Sequence, residues 1–450
     1  MGYRFACVEE QSLYANLRFL ADRPKVLPAI SQYGEYQPAG MKMIPIKGER
    51  LLGDLRALRA MGAEGAGVVR PAFSDMDMAA RRWLAECYSE AGLLAQIDGI
   101  GNVLGQSTNS GPRLLIGSHS DTQPTGGWLD GALGVIYGLE VARALAENEA
   151  TKHCAIDAIS WQDEESRFYG CMGSRSFCGD FSSEIEAGLT DKDGVALASA
   201  LAQAGLTGVP RLRAADHHYV GFLEAHIEQG PHLEQDNLRI GIVEAIVGLG
   251  GIVFEFSGQQ NHAGTTMMAG RKDAATALYT LAHRINEEFP KVAGERSVWT
   301  MGRAVLYPGA PSIVPGLAEL ELQFRDANPM ILDRFEEVAY GLVDEINAKG
   351  GATTTARPSR VRIPPAHMDI GFQRHLSEAA EQHAPGNWRS MPSGAFHDAG
   401  VICNMMPSAM LFIPSINGIS HDSAEDSHDD DIVLGCQVLA TAAASILAAV

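Results

Sequence analysis

Apolar and polar positions along this chain fall into two textures. From Arg50 the segment LLGDLRALRAMGA carries Leu51, Leu55, Leu58 and Met61 at helical spacing, which predicts a first helix. A second helix, MDMAARRWLAECYSEAGL, is predicted with Asp75 as its N-cap and an end near Gly92. Strands and helices then alternate. LLAQID and NVLGQ read as short strands, RLLIGSHSD as an apolar strand ending in polar residues, and GALGVIYGLEVARALAEN as a long helix. HCAIDAISWQDEE reads as a buried strand ending in charge. Apolar strand, acidic end, then helix is the rhythm of an α/β sheet, whose ligands gather at the strand ends.

Between about Val247 and Pro364 the pattern changes. IVFEFSG and AELELQFRD alternate as half-exposed strands do, and KDAATALYTLAHRINEEF and ILDRFEEVAYGLVDEINAKG are amphipathic helices. Beyond them come a helix (FQRHLSEAAEQH), a strand (AMLFIPS) and a last helix (DIVLGCQVLATAAASILAAV). The expected architecture is α/β with two domains. Residues 48–246 and 365–450 form a domain interrupted by an α+β insertion over 247–364, and residues 1–47, with prolines at 24, 28, 38 and 45, form an N-terminal extension packed on or around it.

A length of 450 residues suits two domains, and 46% hydrophobic with 20% charged residues is ordinary globular usage. The net charge of −20, from 55 acidic against 35 basic side chains, argues against nucleic acid or a membrane surface as partner. Small anionic substrates stay open, because a few arginines reverse the field locally. The 7 cysteines show no C-x-x-C pair and fit a reducing compartment. The start reaches Glu9 and Glu10 before a signal-peptide core could form, and no apolar run is expected to reach the ~18 residues of a membrane span. A cytoplasmic location is expected.

The chemistry gathers at predicted strand ends. In GSHSDTQPTGGWLDGALG, His119 follows an apolar strand and Asp130 follows a Gly-Gly turn that folds it back beside His119. Imidazole and carboxylate suit zinc, manganese, cobalt or nickel, and Asp121 is placed as the acceptor that orients the His119 ring. WQDEESRF adds Glu164 and Glu165; one of them can bind metal while the other faces a bound water, and a turn is needed before both could approach one ion. EAHIEQG contributes His226 and Gln229, and NGISH contributes His421. Each alone reads as readily as a polar loop, but four strand ends all finish in metal-capable residues. In the insertion, His262 and Arg325 serve no metal; Arg325 suits a bidentate pair with a substrate carboxylate, its plainer alternative being a salt bridge to Asp326. His397, after the small-residue turn of MPSGAFHDAG, suits an oxyanion donor. No G-x-S-x-G elbow, P-loop or dinucleotide fingerprint occurs.

GSHSDTQPTGGWLDGALG, DEESRF, HIEQGPHLE, NHAGTT, RKDA, FRD, SGAFHDA and NGISH, in this order from about Arg50 onward, resemble the hydantoinase/carbamoylase branch of the M20 metallopeptidase clan. That branch includes N-carbamoyl-L-amino-acid hydrolases, β-ureidopropionase and allantoate amidohydrolase. The resemblance implies a catalytic domain interrupted by a lid and dimerisation domain, hence a homodimer. It implies two divalent ions held by His119, Asp130, Glu165, His226 and His421, with Asp130 bridging and Glu164 as general base. Gln229, His262, Arg325 and His397 match positions that contact substrate or transition state. Two positions depart from the pattern. Ser312, in YPGAPSIVPG, stands where an asparagine is usual, with Gly309 at an earlier asparagine, and Phe396 stands for the glycine before the histidine. Both would face substrate. The expected activity is hydrolysis of a carbamoyl C–N bond in a small ureido acid, releasing amino acid, ammonia and carbon dioxide. Its rivals are hydrolysis of another amide or peptide, and a non-catalytic binding protein on the same fold.

Overall fold

The computed structural model describes residues 44–359 and 362–450. Of the expected N-terminal extension, residues 1–43 lie outside the described residues. The remainder divides into two units, one comprising 44–246 with His367–Val450 and the other Val247–Ala366.

In the larger unit a nine-stranded sheet carries four neighbouring parallel strands in the order Ser408–Ile413, Tyr219–Ile227, Arg113–His119, Ala155–Trp161. Being parallel, they end at one edge of the sheet. Every residue of Ala155–Trp161 is buried, as expected for a strand covered on both faces. Val103–Gln106 and Leu94–Ile97 extend one flank antiparallel. Ile240–Ile246 and Trp388–Ser393 extend the other.

The helices follow their apolar spacing. Gly48–Ala60 buries Leu51, Leu52, Leu55 and Leu58. Asp75–Glu90 is capped by Ser74, whose hydroxyl accepts from the Asp77 amide at 3.1 Å, and not by Asp75. Asp75 lies in the first turn, where a carboxylate meets the positive end of the helix dipole. Both residues have cap chemistry, so local sequence alone does not rank them.

The last helix, Asp429–Ala448, corrects one expectation, since it is long and apolar enough by length and composition to cross a membrane. Its apolar character has another cause. It packs on Gly48–Ala60, Ala132–Glu147 and Ile370–His383, and 67% of its most apolar window is buried inside the protein. The chain at 44–47 is fastened to the same layer. Gln437 accepts from the Ile46 amide and donates to the Ile44 carbonyl, and the buried Glu140 accepts from the Lys47 amide and from Arg50.

The smaller unit has a four-stranded antiparallel sheet in the order Val298–Tyr307, Leu317–Asp326, Gly248–Ser257, Thr353–Pro358. Leu317–Asp326 buries alternate residues (Ala318, Leu320, Leu322, Phe324) against Ala274–Glu288 and Pro329–Ala348. Phe289 and Phe335 stack at 4.4 Å in that core. Asp273 and Asn328 cap the two helices.

One buried arginine ties the larger unit's sheet to its helices. Arg81, fully buried, pairs with Asp77 at 2.9 Å and donates to the Gly101 and Trp161 carbonyls at 3.0 Å each. Arg81→Met removes the partner of a buried carboxylate and strands both carbonyls. We expect it to lower the unfolding free energy of this unit by about 3–5 kcal/mol in urea titrations. A loss below about 1 kcal/mol, the range of an exposed pair, would contradict the role given to it.

Candidate metal centre

The shared sheet edge collects the expected donors. His119 is the last residue of its strand, and its Nδ1 lies 3.0 Å from the Asp121 carbonyl. His226 sits on the neighbouring strand with Nδ1 2.9 Å from the Ile227 carbonyl. A carbonyl only accepts, so Nδ1 carries a proton in both rings, and in each Nε2 faces Asp130 and becomes a lone pair for a cation once its own proton is lost. Asp130 Oδ1 lies 2.9 Å from His226 Nε2 and 3.6 Å from His119 Nε2, while its Oδ2 lies 3.0 Å from His421 Nε2. Glu165 Oε1 is 3.7 Å from His421 Nε2, and Glu164 Oε2 is 3.7 Å from His119 Nε2. The donors form two triplets sharing Asp130: His119–Asp130–His226 and Asp130–Glu165–His421, each with ligand atoms within 4.8 Å of one another.

Turns aim these side chains. The strand before the glutamates ends at Trp161, and Asp163 and Ser166 take positive φ (56° and 65°), which makes the turn that lets both glutamates approach. The buried Asp163 holds that turn by accepting from the amides of Arg167, Phe168 and Tyr169 at 2.6, 2.9 and 3.0 Å. Asp121 is corrected in detail. Its backbone carbonyl orients His119, while its carboxylate is 3.8 Å from that ring and accepts from the Glu164 and Glu165 amides at 3.4 and 3.2 Å. The side chain is already used by the turn it supports.

Gln229, at φ +58°, lies inside the cluster, its Nε2 3.2 Å from Asp130 Oδ2, Ser420 Oγ and His421 Nε2. His397 is buried with its ring 4.5 Å from that of His226, and burial together with His226 holds it well below the usual imidazole range. His397 Nε2 lies 2.9 Å from Ser393 Oγ, which also lies 2.9 Å from the Ala395 carbonyl. Where the Ser393 hydroxyl donates to Nε2, the ring proton sits on Nδ1, as the expected oxyanion donor requires. Phe396 is half-buried with its ring edge against Gly400.

The remaining expected contacts belong to the smaller unit. His262 and Ser312 are exposed on a short ladder, where the Ala263 amide donates to the Ser312 carbonyl at 2.9 Å. The Gly264 amide donates to His262 Nδ1 at 3.0 Å, so the His262 proton sits on Nε2. Arg325 is half-buried on Leu317–Asp326 with Nη2 3.4 Å from Gln323 Oε1. Asp326 accepts from Ser297 and from the Asn328 amide.

Sequence reasoning missed two residues. Gln123 donates to Glu165 Oε2 at 2.6 Å, and Glu425 accepts from the Asp130 amide at 3.0 Å. In sequence each is a polar residue in a polar loop, with no spacing that marks it.

The electrostatics test whether a cation fits. Burial pushes Glu164 well above the usual carboxylate range, and burial with the nearby Asp130 takes Glu165 to about 7. Burial disfavours charge on His119, but Glu164, Asp130 and Asp121 override it and raise its pKa well above the usual value. Burial also opposes the Asp130 charge, which the three imidazoles nevertheless hold well below the usual range. Buried carboxylates are thus drawing protons toward a region of concentrated negative charge. Three imidazole nitrogens and carboxylate oxygens are the donor set of zinc or a similar divalent ion, so the residues fit such an ion.

Gly131, at φ +65°, precedes Ala132–Glu147, and a Cβ there would collide with the His119 ring. Gly179 also has a positive φ, +82°, but nothing lies within 4 Å of a Cβ there. Alanine at either costs about 1–3 kcal/mol in backbone strain. We expect Gly179→Ala to lose only stability and Gly131→Ala to lose bound zinc as well, measured as metal per protein after dialysis. Equal metal content in the two variants would contradict the crowding argument.

Comparison with known proteins gives the family. The model of peptidase family M20/M25/M40 matches residues 115–445. An N-carbamoyl-L-amino acid amidohydrolase of Geobacillus stearothermophilus is 32% identical over 403 residues, 88% of this chain and 97% of that protein. A ureidoglycolate hydrolase of Oryza sativa subsp. japonica is 31% identical over 393 residues, 84% of this chain and 80% of that protein. The crystal structure of a hydantoinase/carbamoylase family amidase from Burkholderia phymatum superposes with a TM-score of 0.86 at 50% identity, covering 91% of this chain and 99% of that one. The chain belongs to peptidase family M20/M25/M40 and, within it, to the hydantoinase/carbamoylase amidases.

Proposed function

We propose that the protein is a metal-dependent amidohydrolase that cleaves the carbamoyl C–N bond of an N-carbamoyl amino acid or related ureido acid, releasing amino acid, ammonia and carbon dioxide. The observation that carries this is the sharing of Asp130 by two donor triplets with Glu164 beside His119. The relatives named for N-carbamoyl amino acids and ureidoglycolate support the substrate class.

His119, Asp130 and His226 would hold one divalent ion and Asp130, Glu165 and His421 a second, as zinc, manganese, cobalt or nickel. Such ions supply Lewis acidity, which acidifies water and polarises a carbonyl. Glu164 takes the proton from the attacking water and returns it to the leaving nitrogen. His397 donates to the developing oxyanion, as its Nδ1–H can when Ser393 Oγ donates to Nε2, and His262, whose Nε2 carries the proton, contacts the substrate. Gln229 holds Asp130 and His421. Arg325 binds the substrate carboxylate, and Ser312 and Phe396 shape the pocket around a compact, partly apolar substrate.

Residues 247–364 act as a lid and dimerisation domain in a homodimer, with residues 48–246 and 365–450 catalytic. A cytoplasmic location is supported by the cysteines, among which no disulfide forms in the described residues.

Zinc-reconstituted protein should release ammonia from N-carbamoyl amino acids faster than from simple amides lacking a ureido group. Glu164→Gln should abolish turnover with metal content nearly intact, whereas Glu165→Gln should lose metal. The reverse pattern would exchange the two roles, and release from simple amides alone would sink the ureido assignment. Arg325→Ala should raise KM for carboxylate substrates by about 2–3 kcal/mol, the range of a lost charge-assisted pair, with kcat changed far less. An unchanged KM would remove the arginine from the site.

A further inference from the structure

Two segments distant in the chain meet on one carboxylate. Glu425 is 2% exposed, and its Oε1 accepts from the amides of Leu129 and Asp130 at 3.1 and 3.0 Å. Its Oε2 accepts from the Ser420 hydroxyl at 2.9 Å. Asp130 belongs to both donor triplets, and Ser420 immediately precedes His421. A Cβ at Gly127 would collide with the Glu425 carboxylate, so the glycine before Trp128 makes room for it. Asp426 adds a second tie between the same segments, accepting from Trp128 Nε1 at 3.2 Å.

The two segments differ in how much else holds them. His119 and His226 sit on strands of the sheet, whereas His421 stands in a loop at φ +55° with its side chain 47% exposed. Ser420 Oγ also lies 3.2 Å from Gln229 Nε2, which reaches His421 at the same distance. An anchor at Ser420 therefore bears on the His421 side of the cluster more than on the His119 side.

We propose that Glu425 is a positioning residue that ties the Asp130 turn to the His421 loop and thereby sets the affinity of the Asp130–Glu165–His421 triplet for a divalent cation. It acts through the backbone of residue 130 and the hydroxyl of Ser420, touching none of the triplet's donor atoms. The proposal rests on the metal-binding function assigned above to this cluster.

The test is zinc titration of chelator-stripped wild type, Glu425→Ala and Glu425→Gln against a chromophoric competitor, with circular dichroism as the check on folding. Alanine should weaken one of two zinc equivalents by about 10- to 100-fold, the usual effect of losing a group that orients a ligand. The other equivalent should change far less. Glutamine keeps an acceptor for the two amides and offers its NH2 to Ser420 Oγ, so it should recover most of the loss. Wild-type affinities in the alanine variant would overturn the proposal, and so would a glutamine variant as weak as alanine. Should Glu425→Ala fail to fold, Ser420→Ala takes its place; it should weaken the same equivalent several-fold, and unchanged binding would again overturn the proposal. A wild-type protein that takes up no zinc would instead sink the metal assignment itself.

Discussion

Asp130 is the constraint around which the larger unit is arranged. One carboxylate, buried at the end of a sheet, has its two oxygens directed at different imidazoles. Burying an ion without compensation costs several kcal/mol, so everything near it has to supply positive charge or donors. His119, His226, His421 and Gln229 face the carboxylate, and Glu425 takes the backbone amide of the same residue. The glycines on either side are part of this arrangement. Gly127 leaves room for Glu425 and Gly131 for the His119 ring, so the turn carrying Asp130 is shaped by what must touch it.

The order of the four parallel strands separates the candidate donors into two kinds. The two inner strands, Tyr219–Ile227 and Arg113–His119, carry their histidines directly, and both rings are buried with Nδ1 on a backbone carbonyl. The two outer strands, Ser408–Ile413 and Ala155–Trp161, deliver His421 and the glutamates from turns beyond their ends. Those turns need props of their own. Asp163 and Asp121 hold the glutamate turn through its amides, and Gln123 holds the Glu165 side chain. The candidate centre thus has an inner pair carried on strands and outer donors carried on turns that neighbouring carboxylates support.

Much of this is legible in the sequence, because an apolar run ending abruptly in His, Asp or Glu is what a buried strand looks like where it reaches a polar site. RLLIGSH and AISWQDEE carry their own strand and their own chemistry. What stays hidden depends on competition among contacts. Asp121 sits two residues from His119, as a ring-orienting carboxylate would, yet the amides of Glu164 and Glu165 claim its side chain and leave the carbonyl for the ring. Trp388–Ser393 is too polar to announce itself, pairing as a strand because Ile240–Ile246 offers an open edge. The last helix owes its membrane-like composition to burial between helices and sheet, a cause that composition cannot separate from lipid.

Burial acts in opposite directions on the bases and the acids of this cluster. His397 Nε2 lies 2.9 Å from Ser393 Oγ, so one of the two donates and the other accepts, and Nδ1 of the neutral ring takes the role opposite to that of Nε2. Burial and the neighbouring His226 hold His397 well below the usual imidazole range, which disfavours a second cation against that ring. The same burial pushes the carboxyl groups of Glu164 and Glu165 upward. One low-dielectric environment thus disfavours charge on an imidazole and on two carboxyl groups alike, and a divalent cation is the charge that would let those carboxylates ionise there.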